Sequence, residues 1–355
     1  MTYFQDGRLV LENYITRLKF HGSSDTLLLL DYFRRWRTID QASKDLTNYT
    51  RASLLASIDN LLDNGLLMTA DSEQARLERK FSKTWLWPIP SRYYHFSTKL
   101  DEPFSTRDEI RRFYERYLKG KAQPSIYKDY RGSRRIPLLS GSGGEAPLFD
   151  TMRRRKTTRA FTGEPISLKQ LSRIVYYTWG RISLYETEEF GGLLHKSSPS
   201  AGARHPIEAY AVVNNVKGVD RGIYHYSVRN HSLELLKEGD FRDKCAEFSA
   251  GQEWTRNASV FFIMTAVVPR TAWKYRIPRV YRAFLLDAGH LSQSFLLSST
   301  ALGLGAFCIG IISDVTIEKE LEIDGVNETV LFAVGVGHSA KNGSTPPESR
   351  NPSLR

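Results

Sequence analysis

Lys274 and Tyr275 stand side by side in the polar stretch TAWKYRIPRVYR. A lysine cation beside a phenol stabilises the phenolate and draws a tyrosine pKa down from about 10 toward a value useful to a general base. A dipeptide alone specifies no chemistry, so the motifs around it matter. In RRRKTTRAF, Arg155, Lys156, Thr157 and Arg159 put three cations and a hydroxyl within five residues. Forked guanidinium donors, a point charge and a hydroxyl suit a phosphate; the other reading is a solvated basic run. In SSPSAGARHPIEAYAVV the half up to Pro206 is small and bounded by prolines, whereas the half from Ile207 is branched and apolar like a buried strand. Such a loop, holding Pro199, Ser200, Ala201, Gly202 and His205, either lets backbone approach a planar or phosphate-bearing cofactor or makes a tight structural turn. GLGAFCIG, ending in Ile309 and Gly310, follows a long helix. That is the wrong order for a dinucleotide fingerprint, so its glycines are expected to bring backbone close to a flat ligand.

The elements that must position these residues alternate from Thr151 to about Gly337. A helix is expected over SLKQLSRIVYYTWG, strands over IEAYAVV and SVFFIMTAVV, a long helix over YRAFLLDAGHLSQSFLLSSTALG and a last strand over TVLFAVGVG. This predicts an α+β fold, a sheet packed with helices. Inside the long helix Asp287 and His290 lie three apart on one face and are expected to form a structural hydrogen-bonded pair. No third ligand stands near them, and no metal site is expected.

The chain of 355 residues, 41% hydrophobic and 12% aromatic, can bury a large core in two domains. It contains no apolar run long enough to span a bilayer and no secretory signal at its start, so a cytoplasmic protein without membrane contact is expected. Cys245 and Cys308 lack metal-ligand spacing and read as small hydrophobes. The formal charge of +11 would favour nucleic acid only if the cations were clustered on a binding element. From Asp25 to Met68 the charges nearly cancel, while Glu73 to Arg135 carries about twice as many cations as anions. The first of these regions reads as three helices, the third capped by Thr50 or Asn48 and ended by Gly65. Their spacing suggests a winged helix-turn-helix. Its candidate recognition helix offers Arg51 against Asp59 and Asp63, which disfavours DNA and leaves a peptide-binding or structural use. TWLWPIPSRYYHFSTK and the tyrosine–cation segments after it either hold an extended or acidic partner or cover a domain junction. SGSGGEAP reads as a flexible passage.

Taken as a set, RKTTRAF, PSAGARHPIEAY, KYRIPRVYRAFLLDAGHLSQ and ALGLGAFCIG resemble the SagB-type branch of the nitroreductase-like flavoproteins, which includes azoline dehydrogenases of thiazole and oxazole biosynthesis. The resemblance covers most of Arg153 to Gly337, and the helices and WPIPSRYYHFSTK ahead of it are similar to the accessory region of many members. It implies an α+β nitroreductase-like FMN-binding domain at residues 151–340, preceded by a winged-helix-like accessory domain at 1–100 and a basic aromatic linker at 101–150, with a flexible tail at 341–355. It implies a homodimer with FMN at the subunit interface. Arg155, Lys156, Thr157 and Arg159 would contact the phosphate and ribityl chain, and Pro199, Ser200, Ala201, Gly202, His205, Ile309 and Gly310 would complete the cofactor site. Lys274 and Tyr275 match the catalytic pair, Tyr275 as base and Lys274 as its electrostatic partner, with the order open. The reaction implied is aromatisation of a thiazoline or oxazoline ring in a peptide or carrier-bound intermediate, with biosynthetic enzymes as possible partners. Ala203 and His205 stand where ordinary nitroreductases carry an amide-bearing pattern. A generic NAD(P)H-dependent nitro or quinone reductase and a non-enzymatic peptide- or DNA-binding protein remain as alternatives.

Overall fold

Each of the first three helices begins at a residue whose side chain can satisfy a free backbone N–H. Ser23 and Thr38 do so in capping boxes with Thr26 and Gln41, and Thr50 accepts from the Ser53 N–H. The chain is described by a computed structural model covering residues 1–84, 88–99, 112, 114–140, 145–188 and 190–340. The tail assigned to 341–355 and part of the linker lie outside the described residues. Two compact units form, residues 1–103 and 104–355.

In the first unit, strands β1 (Thr2–Gln5), β2 (Arg8–Glu12) and β3 (Lys19–His21) make an antiparallel sheet in that order. Helices α1 (Ser24–Tyr32), α2 (Ile39–Asp45), α3 (Arg51–Asp63), α4 (Glu73–Thr84) and α5 (Ile89–Ser97) follow. Leu29, Ala42, Leu54, Ile58 and Leu61 form the core between α1, α2 and α3. The sheet was not expected from the sequence. Its signal is Asp6-Gly7, both at positive φ, a two-residue hairpin turn between short alternating runs.

The second unit contains β4 (Arg135–Pro137), α6 (Leu148–Arg154), β5 (Ile166–Ser167), α7 (Leu168–Trp179), β6 (Ser183–Thr187), β7 (Gly191–His195) and β8 (Ile207–Val213). The chain continues through β9 (Val216–Lys217), β10 (Gly222–Ser227), β11 (Ser232–Glu238), α8 (Arg242–Phe248), β12 (Val260–Val267) and α9 (Val268–Ala272). It closes with α10 (Tyr281–Ala301), β13 (Gly305–Ile309), α11 (Asp314–Leu321) and β14 (Glu328–Gly337). Seven strands build an antiparallel sheet in the order β13-β14-β12-β8-β10-β11-β4. Arg135–Pro137, in the stretch expected to be linker, is therefore an edge strand of this sheet.

Both faces of the sheet are covered, which is why all of β8 is buried and its apolar residues are nearly continuous. On one face Trp179 of α7 stacks near Phe262 and Phe295, with ring centroids 5.0 and 5.7 Å away. On the other, Phe248 and Ile317 of α8 and α11 pack with Phe261 and Phe307. The rigid sheet thus presents the β7–β8 loop, the segment after β12 and the end of β13 on fixed supports. Cys245 is buried and its thiol is pushed up to about 12 by burial; both cysteines are free. No helix among the described residues is long and apolar enough to cross a membrane.

Candidate functional site

The predicted residues gather in two groups. In the first, the run after α6 lies along β13: Thr157 bridges to Ala306, and the Thr158 N–H donates to the Ala306 carbonyl at 2.9 Å. Burial pushes the Cys308 thiol pKa up, and Arg155 and Arg159, standing near it, oppose that rise; Ile309 ends the same strand and Gly310 follows it. Arg153 and Arg154 are occupied by Asp150, whereas no carboxylate among the described residues pairs with Arg155, Lys156 or Arg159. Arg159 faces the Trp254 ring at 5.8 Å. Two uncommitted guanidiniums, an ammonium and the exposed Thr157 hydroxyl form a donor set that fits a phosphate. The side chain of Ile309 is buried in the core, so only its backbone can face a ligand. Gly310 is exposed.

The second group is built on the loop before β8. Pro199 is exposed, and Ala201 to Ala203 form a single tight turn. Ser200 Oγ accepts from the His205 N–H at 3.0 Å and donates to Asp287 Oδ2 of α10. Asp287 therefore finds its hydrogen-bond partner across the fold in Ser200, not in His290 as its helical spacing suggested; His290 acts on it only through space. The loop needs this bracing because Gly202, Ala203 and His205 all have positive φ, at 60°, 52° and 42°. Two of these are not glycine and carry strain of about 1 kcal/mol or more each. The His205 ring is buried with Nε2 at 3.0 Å from the Leu194 carbonyl oxygen. Burial pushes its pKa down to about 3. The His205 ring thus braces the loop from behind, held by the Leu194 carbonyl.

Tyr275 meets this loop. A Cβ on Gly202 would collide with the Tyr275 hydroxyl and stand 3.0 Å from its Cε2. Only glycine accommodates both the positive φ and this approach. Lys274 lies differently from expectation: its Nζ sits 3.8 Å from the Phe190 ring centroid and 5.6 Å from that of Tyr275. Burial raises the Tyr275 pKa, and the cation that opposes the rise is Arg204. The lowered tyrosine pKa expected from Lys274 is not found, because half-burial disfavours the phenolate and the ammonium is directed at aromatic faces.

Behind the loop lies a charged layer that the sequence did not disclose. Glu208, the second residue of β8, pairs with Arg270 Nη1 at 2.5 Å and with His225 Nε2 at 2.9 Å, all three buried. Arg270 and His225 hold the Glu208 carboxyl down to about 2 despite its burial. Arg270 also donates to the carbonyls of Ser125 and His205 at 2.9 and 3.2 Å, tying α9 to the loop. Lys196 is buried beside them, and loss of solvation brings its pKa down to about 8. Glutamate as the second residue of an otherwise apolar strand is the one local signal that pointed to this layer.

The strands that carry the two groups are not neighbours in the sheet. Between β8 and β13 stand β12 and β14, so the strands carrying them are about 14 Å apart at ordinary strand spacing.

The nitroreductase family model matches residues 152–338. A protein of Methanocaldococcus jannaschii, a nitroreductase by name, is 31% identical over 193 residues, covering 54% of this chain and 91% of its own. The trifolitoxin-processing protein TfxB of Rhizobium leguminosarum bv. trifolii is 24% identical over 320 residues, 85% of this chain and 84% of its own. Among solved structures, a nitroreductase from Anabaena variabilis superposes with a TM-score of 0.56 at 24% identity. It covers 70% of this chain, which spans about half, 47%, of that longer one.

Proposed function

Since the chain belongs to the nitroreductase family, we propose that it is an FMN-dependent azoline dehydrogenase of the SagB type, aromatising thiazoline or oxazoline rings in a peptide or carrier-bound intermediate. The observation that carries this reading is the Tyr275 hydroxyl set against Gly202, an ionisable group at a loop of small residues onto which a planar ligand can lie. TfxB supports the substrate class: its name places it in the processing of another molecule, and its similarity runs well beyond residues 152–338.

The uncommitted donors of Arg155, Lys156, Thr157 and Arg159 would hold the FMN phosphate and ribityl chain, and the backbone of Pro199 to Gly202, with that of Ile309 and Gly310, would flank its ring. FMN, when bound, would supply the acceptor for the hydride, which carries both electrons away from the azoline. The chain's own work would be to orient the ring and, with Tyr275 ionised, to take the proton from the neighbouring ring carbon onto the phenolate oxygen. Lys274, over the Phe190 and Tyr275 rings, would fix the wall of the site. Loss of one proton and one hydride leaves the ring two hydrogens poorer and aromatic.

A homodimer accounts for the separation of the two groups, with the phosphate-binding residues of one protomer serving the loop of the other. Exposed apolar side chains on the packed pair α6 and α10 suit such an interface, Phe149 at 80% and Leu286 at 61% exposure among them, with Leu148, Met152 and Leu285. The N-terminal unit, three capped helices beside an antiparallel sheet, fits a winged-helix-like accessory domain for peptide binding.

The test is single turnover of a thiazoline or oxazoline substrate under anaerobic conditions, read by bleaching of flavin absorbance and a mass loss of about 2 Da, the two hydrogens passed to the flavin. Tyr275→Phe should retain FMN and lose turnover by roughly 10²- to 10⁴-fold, the usual contribution of general base catalysis. Wild-type turnover by Tyr275→Phe refutes the role of the hydroxyl. The methanococcal relative favours a second reading, a general NAD(P)H-dependent reductase; steady NAD(P)H consumption with nitroarenes and no azoline turnover would select it.

A further inference from the structure

A cleft of about 1060 Å³ opens in the first unit between the α1–α2 connection, the end of α3 with the residues after it, and α4. Its floor is apolar, since Phe33, Ile58 and Leu62 reach it from the core of the three helices. At its lip Trp36 is 64% and Met68 38% exposed. The volume is that of a ligand site, and leaving a tryptophan largely in water beside a methionine costs solvation unless something covers them. Tryptophan is a common interface anchor, and methionine adapts its shape to what lies on it.

The charges around the cleft are one-sided. The run RRWR after α1 supplies Arg34, Arg35 and Arg37 beside Trp36, and α4 adds Arg79 and Lys83; among the described lining residues Glu78 is the one carboxylate. Glu78 is already taken, by Arg92 at 3.2 Å and the Tyr14 hydroxyl at 2.8 Å. Arg34 and Arg37 have Asp31 and Asp45 at 3.5 and 3.4 Å. Arg79 donates to the Ala70 carbonyl at 3.0 Å, and no carboxylate among the described residues pairs with Arg35, Arg79 or Lys83. An apolar floor thus carries a rim of three exposed cations without counter-charges.

We propose that this cleft docks an acidic, amphipathic peptide segment, its large apolar side chains seated on Phe33, Trp36 and Met68 and its carboxylates meeting Arg35, Arg79 and Lys83. The inference rests on the reading that the azoline ring is borne on a peptide, which would carry such a segment beside the ring. An amphipathic helix laid apolar face down answers both the floor and the rim. A second copy of the chain does not, because each copy brings a formal charge of +11 to a rim that is already positive. Nucleic acid would set hydrated phosphates over an apolar floor, whereas its usual sites are polar and wet.

The experiment is fluorescence anisotropy of the full chain with a dye-labelled synthetic peptide that has glutamates on one helical face and leucines with a phenylalanine on the other. It should bind at low salt and weaken as salt rises. Trp36→Ala should weaken binding by about tenfold or more, the loss of one anchor, and Arg35→Glu with Arg79→Glu by a similar factor through repulsion. Arg131→Glu, an exposed cation of the second unit, should leave it unchanged. The altered side chains are exposed, so unchanged melting temperatures will show that the variants fold. Peptides with lysine for each glutamate, or serine for each apolar residue, should bind at least about tenfold more weakly. Failure of the acidic peptide to bind, equal binding of the lysine peptide, or indifference to both Trp36→Ala and the charge reversals overturns the inference. A single-stranded oligonucleotide that binds more tightly than the peptide and is lost in the same variants assigns the cleft to nucleic acid and overturns it too. Binding needs neither FMN nor an azoline, so absent azoline turnover with intact docking removes the reaction and leaves the cleft, while turnover of a peptide that does not dock here removes the cleft alone.

Discussion

Gly202→Ala perturbs the site at its narrowest point. The residue has φ 60°, where alanine costs about 1–2 kcal/mol more than glycine. The added methyl would also collide with the Tyr275 hydroxyl and lie 3.0 and 3.1 Å from Cε2 and Cζ, so the ring must swing off its rotamer at a further cost of about 0.5–1.5 kcal/mol. The sum is about 1.5–3.5 kcal/mol, which for a unit of this size lowers the melting temperature by roughly 3–14 °C. Displacing the hydroxyl by about 1 Å should reduce azoline turnover by up to about 100-fold. Two assays separate the terms. Thermal unfolding in wild-type and Tyr275→Phe backgrounds gives the coupling: with the hydroxyl deleted, Gly202→Ala should cost less by about 0.5–1 kcal/mol, because only the backbone term and the ring-edge contacts remain. Single-turnover kinetics in the wild-type background reads the displacement. Equal destabilisation in both backgrounds, or full turnover in Gly202→Ala, would show that Tyr275 does not occupy the space above Gly202 and would remove the basis for its role.

Further outcomes concern the cofactor, the buried lysine and the assembly. Arg155→Ala should weaken FMN binding by roughly 10- to 150-fold, the equivalent of one charge-assisted hydrogen bond of about 1.5–3 kcal/mol, while Arg153→Ala, whose partner is Asp150, should leave it nearly unchanged; flavin titration followed by fluorescence measures both. Lys196, with its folded pKa lowered to about 8, binds fewer protons than in the unfolded chain between about pH 8 and 10.5, so its contribution to stability rises with pH across that window and its penalty is complete below it. Lys196→Met should consequently stabilise the protein at pH 7 by about 3 kcal/mol and flatten the rise between pH 8 and 10.5, as denaturant unfolding at several pH values will report. Leu286→Glu places a charge in the exposed apolar patch on α10 and should yield a monomer with reduced FMN retention by light scattering and absorbance; a flavin-saturated dimer would reject that face as the interface.

Short-range chemistry made much of this protein legible from its residues alone. Capping serine and threonine side chains started the helices where they were expected, since a cap acts within three residues. IEAYAVV and the later apolar runs became central strands because burial on both faces leaves a nearly unbroken apolar string. The basic run and the small-residue loop were visible by composition, and GAFCI, read for its glycines, proved to be an edge strand beside that run. The tertiary structure decided what those residues meet. Sheet order sets the two groups three strands apart, Ser200 takes Asp287 from His290, and Lys274, adjacent to Tyr275 in the chain, turns to Phe190. Neighbours along the chain fix backbone geometry, but a charge acts through space and in proportion to the solvent removed around it. Partner and proton affinity are therefore properties of the packed interior, and no spacing in the sequence encodes them.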